Sequence, residues 1–394
     1  MTKANRIAFV CPRYAEGATV GGAETLLKSL AMRAAAAGRR VTFLTTCARN
    51  HFTWKNEVTP GARIVDGLDV IFFPVDENRD IGAFLHAQDT ISRGASVSRE
   101  DESTWLRNNV NSEELCDHLR EHGDDYDRIV MGPYLFGLIY FASQIQPSRT
   151  ILVPCLHDEP FAYLESFKEM FRNVSGFMFN SAPERELACK LYDLNPGTGR
   201  VVGMGLEPFE ADPAAFSRKY GVSAQYLIYS GRREPLKGTP LLVDYMTAFR
   251  ARTKRDVKIV FTGSGPIDPP SELAPHVIDL GFVPEKDKRE AMAGAIALCH
   301  PSINESLSIV LLEAWMARVP ALVRESSEVL RYQCEHSNGG LWFRNYPEFE
   351  DELIMLLENN KLRTALGNMG REYVLREYSW NAVEPRLLDT LDGK

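Results

Sequence analysis

A chain of 394 residues, 44% hydrophobic and 25% charged, is too long for one ordinary core and has the composition of a globular protein with two domains of about 200 residues each. Its net charge of −8 argues against nucleic acid as the main partner, because phosphate backbones call for a basic footprint. No stretch approaches the ~18 apolar residues of a membrane span. The 7 cysteines are scattered with no C-x-x-C spacing, which speaks against a disulfide framework or zinc site and for a reducing cytoplasm.

The first element is a buried-strand run, Arg6-Ile-Ala-Phe-Val-Cys11, followed by a loop ending in Gly21-Gly22. A helical face then carries Leu26, Leu27, Leu30, Ala31 and Ala34, with Gly38 as its stop. Val41–Thr46 reads as the next strand, so the opening is a βαβ unit and a parallel sheet is expected. Residues 78–125 are polar with weak helical periodicity and read as helices and loops inserted between strands. Further strands are expected at Arg128–Met131, Thr150–Val153, Gly176–Asn180 and Arg200–Gly203.

Residues 207–222, with two prolines and no strong period, form a candidate linker. A second alternating series follows. Its strands are expected at Tyr226–Ser230, Lys258–Thr262, Val277–Leu280, Ala295–Cys299 and Ala321–Val323, with helical patterns between most of them. Thr239 is placed as a helix cap with Pro240 at the first position. From Pro347 on the chain is mostly helical. Ligands of open α/β sheets bind outside the carboxyl ends of the strands, so two such domains face a central cleft with one ligand on each wall.

Chemistry-bearing residues concentrate at those ends. Pro301-Ser-Ile-Asn-Glu305-Ser-Leu-Ser-Ile-Val-Leu-Leu-Glu313 follows a strand and opens a helix. Glu305 is expected in the loop and Glu313 on the helix. Backbone N–H groups near Ser306, Leu307 and Ser308 then offer an anion site for a diphosphate, and the carboxylates suit a hydroxyl-rich ligand. Read as structure alone, the segment is a surface loop and a helix with one buried glutamate. Ser230-Gly231-Arg232-Arg-Glu-Pro-Leu-Lys237-Gly238 supplies positive charge for a diphosphate leaving group, or is a solvated basic turn. Gly21-Gly22 allows close backbone approach to a ligand, or is a plain turn; neither G-x-G-x-x-G nor a P-loop is present. In Cys155-Leu-His157-Asp158-Glu159 the histidine sits at a strand's carboxyl end beside carboxylates. Gly263-Ser-Gly265-Pro266 reads as a tight turn, and Phe282 of Gly281-Phe-Val-Pro284 as a core residue or a flank for a base. Asp125-Tyr-Asp127 precedes its strand and reads as solvated charge rather than a metal site.

Together these residues resemble the family-4 retaining glycosyltransferases of the GT-B fold (glycosyl transferases group 1). The match is best over about residues 200–385. It rests on Gly231-Arg232 with Lys237-Gly238, Gly263-Ser-Gly265-Pro266, Gly281-Phe282-Val283, Glu305 with Glu313, Gly339-Gly340 and Tyr378-Ser-Trp380. Gly21-Gly22-Ala-Glu24 and His157-Asp158 extend it more loosely into the first half. One departure is Arg318-Val319-Pro320, where the family has Gly-x-Pro.

The resemblance implies an α/β fold of two Rossmann-like, doubly wound parallel-sheet domains: residues 1–206 on the acceptor side and 207–379 binding the nucleotide sugar. The last helix, about 380–394, packs back on the first. It implies that Glu313 holds the donor ribose, that Glu305 contacts the transferred sugar, and that Arg232 and Lys237 clasp the diphosphate with help from Gly21 and Gly22. Gly263 lines the donor site, backbone near Phe282 and Val283 reads the base, and His157 sits near the reacting carbon. No cofactor or metal is expected. The expected reaction moves a sugar from a UDP- or GDP-linked donor to a hydroxyl of a glycan, lipid-linked sugar or small glycoside in the cytoplasm, with room for a peripheral membrane contact. The alternatives are another GT-B sugar-nucleotide enzyme (epimerase or phosphorylase) and a non-catalytic nucleotide-sugar-binding protein.

Overall fold

The computed structural model describes residues 5–16 and 21–394, so the chain's first four residues and part of the loop before Gly21 lie outside the described residues. The chain divides into two compact units, one of Met1–Met204 with Val383–Lys394 and one of Gly205–Ala382.

The first unit is built on eight strands: β1 (Arg6–Cys11), β2 (Arg40–Thr46), β3 (Gly61–Val65), β4 (Leu68–Phe73), β5 (Arg128–Met131), β6 (Thr150–Leu152), β7 (Gly176–Phe179) and β8 (Arg200–Val201). Their order is β3-β4-β2-β1-β5-β6-β7-β8, parallel except for β3, which runs antiparallel to β4. Residues Ile7 to Cys11 are all buried, the continuous apolar run that a strand covered on both faces requires. The β3–β4 hairpin is absent from the sequence expectations. Its turn is Asp66-Gly67, with φ of 52° and 81°, the Asp-Gly pair that a two-residue hairpin favours. β3 is an exposed edge strand with no buried run to announce it.

The inserted region forms the helices Ile81–Ser92, Arg99–Asn108 and Glu113–His122, each begun by a side-chain cap from Asp80, Ser98 or Ser112. Two features tie this region down. Trp105 is buried with its ring centroid 5.1 Å from that of Phe161. The buried Glu102 carboxylate accepts hydrogen bonds from the backbone N–H of Glu165 (3.0 Å) and of Ser166 (2.9 Å).

The second unit is a six-stranded, all-parallel sheet of β9 (Tyr226–Ser230), β10 (Lys258–Thr262), β11 (Val277–Asp279), β12 (Ala297–His300), β13 (Ala321–Arg324) and β14 (Gly340–Phe343). The order is β11-β10-β9-β12-β13-β14, so the winding reverses between β9 and β12. The supposed linker is not unstructured. Pro213–Tyr220 is a helix capped by Asp212, with Phe216 fully buried and Lys219 and Tyr220 bonded to Asp287 at 2.6 and 2.7 Å. Proline at a helix's first position starts the helix rather than breaking it. Thr239 is likewise not a cap. Gly238 is the N-cap residue, and Thr239 and Pro240 open the helix Thr239–Thr253.

The helix Trp380–Leu391 carries the chain from the second unit into the first. There it pairs with earlier arginines: Arg33 with Glu384, Arg200 with Asp389 at 2.9 Å and, just past the helix end, Arg39 with Asp392 at 2.8 Å. Among the described residues no helix is long and apolar enough to cross a membrane.

Arg318 occupies the position where the resembled family carries glycine. The chain makes a left-handed turn there anyway, at φ 61°. The left-handed region costs a side-chain-bearing residue roughly 1–2 kcal/mol, partly offset by the lower unfolded-state entropy of arginine. Arg318→Gly is therefore expected to stabilise the second unit by about 0.5–1 kcal/mol, read as a raised urea midpoint. A lowered midpoint would mean that the 3.5 Å contact of Arg318 with Glu210 outweighs the strain.

Candidate active site

Where the order of an open parallel sheet reverses, the loops leaving the two flanking strands diverge and leave a crevice at the carboxyl edge. In the second unit those loops follow β9 and β12, and they carry Gly231–Gly238 and Pro301–Ser308. Opposite charges join them. Lys237 Nζ lies 2.7 Å from Glu305 Oε1 and 3.3 Å from the Asn304 carbonyl oxygen. His300, the last residue of β12, places Nε2 3.0 Å from the same carboxylate oxygen. The approach is close enough to need glycine. At Gly238, with φ 72°, a Cβ would stand 2.4 Å from the Pro301 carbonyl oxygen; at Gly263, with φ 110°, one would stand 2.2 Å from that of Gly231.

Burial alone would push the Glu305 carboxyl up. The charge of Lys237 and the hydrogen bonds from His300 and Lys237 override it, holding the group well below the usual carboxylate range. A depressed folded value contributes stability above the unfolded value of about 4.3, and that contribution is lost as pH falls through the folded value. Glu313 behaves in the opposite way. Burial raises its carboxyl despite Lys288, whose Nζ is 2.9 Å from Glu313 Oε1 and 2.9 Å from Glu285 Oε2.

Several polar atoms on this edge are buried without a hydrogen-bond partner among the described residues: Glu313 Oε2, Ser308 Oγ, Thr262 Oγ1 and His300 Nδ1. Leaving such atoms unmatched costs about 1–3 kcal/mol each, which a ligand or water that bonds them would recover. Ser308, in the left-handed region at φ 68°, is the N-cap of the helix Ile309–Met316, with Leu307 buried and Ser306 half-buried before it. Glu305 thus lies in the loop and Glu313 on the helix.

The sequence singled out Arg232 of the two arginines after β9. Arg232 is half-exposed, with Nη2 3.7 Å from Glu234. Its neighbour Arg233 is the buried one. Its guanidinium forks onto Asp279 and reaches the Gly265 carbonyl oxygen at 2.7 Å, strapping together the loops after β9, β10 and β11. Phe282 is 52% exposed, which overturns the core reading; Gly281, in the left-handed region, turns it out of the sheet, and Val283 beside it is half-buried. His300, Lys288 and Arg233 were all missed. The only signal for His300 was a polar residue ending an apolar strand beside Pro301.

In the first unit Gly21 has an internal reason to be glycine, since a Cβ there would meet Glu24 Oε2 at 2.5 Å. Glu24 is buried and paired with Arg13, and Gly22 is the first residue of the helix Gly22–Ala36. His157 follows β6, partly exposed, with Nδ1 3.6 Å from Glu159 Oε1; that oxygen accepts a hydrogen bond from the Tyr134 hydroxyl at 3.0 Å. Its loop is pinned by Glu184, which accepts from the backbone N–H of Leu156 (2.7 Å) and Asn180 (2.5 Å). Burial pushes the Glu184 carboxyl up to about 8 despite those bonds. The Ser181-Ala-Pro-Glu184 spacing of a capping box could have drawn attention to it. Asp127 is exposed, as solvated charge is, and has a structural part besides. It accepts from the N–H groups of Asn5 and Arg6 at 2.8 and 2.9 Å and so fastens the start of β1.

Residues 216–373 match the family model of glycosyl transferases group 1. This segment is a glycosyl transferases group 1 domain. It contains every second-unit residue of the candidate site. Among curated proteins the chain is similar to an uncharacterized glycosyltransferase of Methanocaldococcus jannaschii, 25% identical over 219 residues, which are 50% of this chain and 55% of that one. It is also similar to the GDP-mannose-dependent alpha-(1-6)-phosphatidylinositol monomannoside mannosyltransferase of Mycobacterium tuberculosis, 28% identical over 211 residues, 48% of this chain and 54% of that one. The chain thus spans about half the length of the curated relatives it matches. Its fold matches those of sucrose-phosphate synthase from Thermosynechococcus elongatus (TM-score 0.71, 15% identity, 97% of each chain) and of Anabaena HepE in complex with UDP and glucose (TM-score 0.69, 15% identity, 99% of this chain and 100% of that one). Each unit is a parallel-sheet α/β domain, and the fold is that of these GT-B glycosyltransferases.

A raised folded carboxyl means that ionising Glu313 costs stability once pH exceeds the unfolded value of about 4.3. Glu313→Gln removes that cost, while Lys288 keeps Glu285 as a partner. The ligand-free variant is expected to melt no lower than wild type at pH 7. Its affinity for a nucleoside diphosphate is expected to fall at least about tenfold, as for the loss of hydrogen bonds to a charged group. Calorimetric titration and thermal melts check both halves.

Proposed function

We propose that the protein is a retaining, family-4 glycosyltransferase that moves a sugar from a UDP- or GDP-linked donor to a hydroxyl acceptor. The observation that carries this reading is the carboxyl edge of the second unit. A cation-held carboxylate, Glu305, and a buried carboxylate with an unpartnered oxygen, Glu313, stand on either side of a helix start at a sheet switch point. Few ligands need both a diphosphate cradle and two carboxylates for hydroxyls; a nucleotide sugar does. The group 1 match and the names of the relatives, one GDP-mannose-dependent, support the same class.

Glu313 accepts hydrogen bonds from the ribose hydroxyls through Oε2. Lys237, Arg232 and the amides at Ser306, Leu307 and Ser308 surround the diphosphate, Gly263 leaves room beside it, and Phe282 and Val283 flank the base. Glu305 orients the transferred sugar. As the anomeric carbon–oxygen bond to the diphosphate loosens, negative charge grows on the leaving group, where Lys237 and Arg232 stabilise it. The acceptor oxygen then bonds to the anomeric carbon on the same face, and its proton passes to the departing phosphate oxygen, so configuration is retained. The protein's own cations supply this charge stabilisation, and the reaction is expected to proceed without metal or cofactor. In the first unit, His157, oriented by Glu159, and the Gly21-Gly22 turn serve the acceptor side and the phosphates. The acceptor is a hydroxyl of a glycan, lipid-linked sugar or small glycoside, and the reaction takes place in the cytoplasm.

Lys237→Ala is expected to lower turnover at least about tenfold, the lower range for losing one preorganised charge at a leaving group, with EDTA leaving the wild-type rate unchanged. A thermal-shift screen with nucleoside diphosphates and their sugars identifies the donor, and proton NMR of the product reads the anomeric configuration. Near-normal turnover in Lys237→Ala with an active donor would sink the clamp assignment; inversion at the anomeric carbon would sink the mechanism.

A further inference from the structure

Lys288 lies on the helix Glu285–Ala293, which starts directly after Phe282-Val-Pro284, and it reaches across to Glu313 on the helix Ile309–Met316. Its ammonium is held on two sides. Nζ stands 2.9 Å from Glu313 Oε1 and 2.9 Å from Glu285 Oε2. Glu285 is steadied in turn by Arg289, whose Nε lies 3.0 Å from its other oxygen. The Lys288 side chain is 20% exposed and that of Glu313 13%, so water competes little for this contact. Burial alone would push the ammonium toward its neutral form. The charges of Glu313 and Glu285 outweigh that and hold it above the usual lysine range. The group between the two helices is therefore a fixed cation, not a lysine that swings into solvent.

A buried carboxylate that only fastens two segments has both oxygens matched, as Glu102 and Glu184 do. Glu313 differs. Lys288 takes Oε1, while Oε2 is buried without a partner among the described residues. A carboxylate gripped at one oxygen by a fixed cation keeps its plane, so its second oxygen is aimed before any ligand arrives. Locking a binding group through a neighbour's hydrogen bonds in this way lowers the ordering cost of binding. The cation also counters the burial that raises the Glu313 carboxyl, and only the ionised form accepts at both oxygens. We propose that Lys288, anchored by Glu285, is a positioning residue for the nucleotide ribose: it holds Glu313 so that Oε2 accepts from the ribose hydroxyls. This role rests on the reading of the second unit's carboxyl edge as a nucleotide-sugar site with Glu313 as its ribose acceptor. Lys288 acts through Glu313 and makes no contact with the ligand itself.

The test is calorimetric titration of the full chain with UDP, GDP and their dideoxy forms, which lack both ribose hydroxyls. It is run for wild type, Lys288→Met, Glu313→Gln and the double variant. Wild type is expected to favour its ribonucleotide over the dideoxy form at least about tenfold, as for hydrogen bonds to a charged group. Lys288→Met is expected to bring that preference below about threefold, the range of a neutral hydrogen bond, by weakening the ribonucleotide alone. A role confined to packing would lower both affinities alike and leave their ratio unchanged. Protonation of Glu313 spares Lys288→Met an unpaired buried charge, so the variant is expected to fold. Should it not, the double variant carries the test: both affinities are expected to equal those of Glu313→Gln alone. A ribose preference that survives in Lys288→Met, or a further loss of both affinities in the double variant, would overturn the role of Lys288 and leave the site reading in place. A wild type that binds neither diphosphate, or binds the dideoxy form as tightly, would remove the ribose reading itself and the role of Lys288 with it.

Discussion

The ion pair of Lys237 and Glu305, with His300 behind it, is the contact on which the second unit's functional edge depends. It joins two loops that leave neighbouring strands of a parallel sheet at the point where the winding changes direction. Such loops have no backbone ladder to hold them. A nearly buried carboxylate without cations would be protonated or would draw the loops apart, and a nearly buried ammonium would fare no better. Each charge is tolerable because the other is present. The pairing also explains the glycine and the proline: Gly238 packs against the Pro301 carbonyl because the loops must come that close for Lys237 to reach Glu305.

The same device recurs in quieter forms. Glu102, Glu184, Asp127 and Asp279 each accept backbone or guanidinium N–H groups from a different segment of the chain. Each fastens a loop or a strand end that the sheets alone would leave loose. Glu184 is the most consequential. It pins the residue before His157, and so fixes from below a side chain that Glu159 orients from beside. Carboxylates in this protein therefore serve two ends. Glu102, Glu184 and Asp279, with both oxygens matched, fasten the scaffold, whereas Glu313 keeps one buried oxygen without a partner among the described residues.

Most of the strand pattern was legible because buried parallel strands are continuous apolar runs, and ten of the fourteen begin within a residue of an apolar block that the sequence displays. Three strands escaped detection; β4 carries the apolar run Val-Ile-Phe-Phe and went unread, whereas the other two lacked that signature. β3 is exposed along nearly its whole length, and β14 is four residues long with half-buried positions at its centre. The helix at Pro213 was hidden because a proline that starts a helix looks in sequence like one that ends it. At the site, Glu305, Glu313 and Lys237 could be read from spacing. Arg233 could not be preferred to Arg232, because burial of one of two adjacent arginines is decided by Asp279, which lies 46 residues further along the chain. His300 and Lys288 were invisible for the same reason: each matters only through a partner brought to it by the fold.

The return of the chain to the first unit bears on how the protein can be made. Residues 205–382 form one uninterrupted segment, whereas the first unit is assembled from two pieces that this segment separates. During synthesis the second unit can close as soon as its own residues have emerged. The first must wait: Arg33, Arg39 and Arg200 meet Glu384, Asp392 and Asp389 only after the whole intervening domain has been translated. The half of the molecule that the ribosome begins first is thus the half that is completed last.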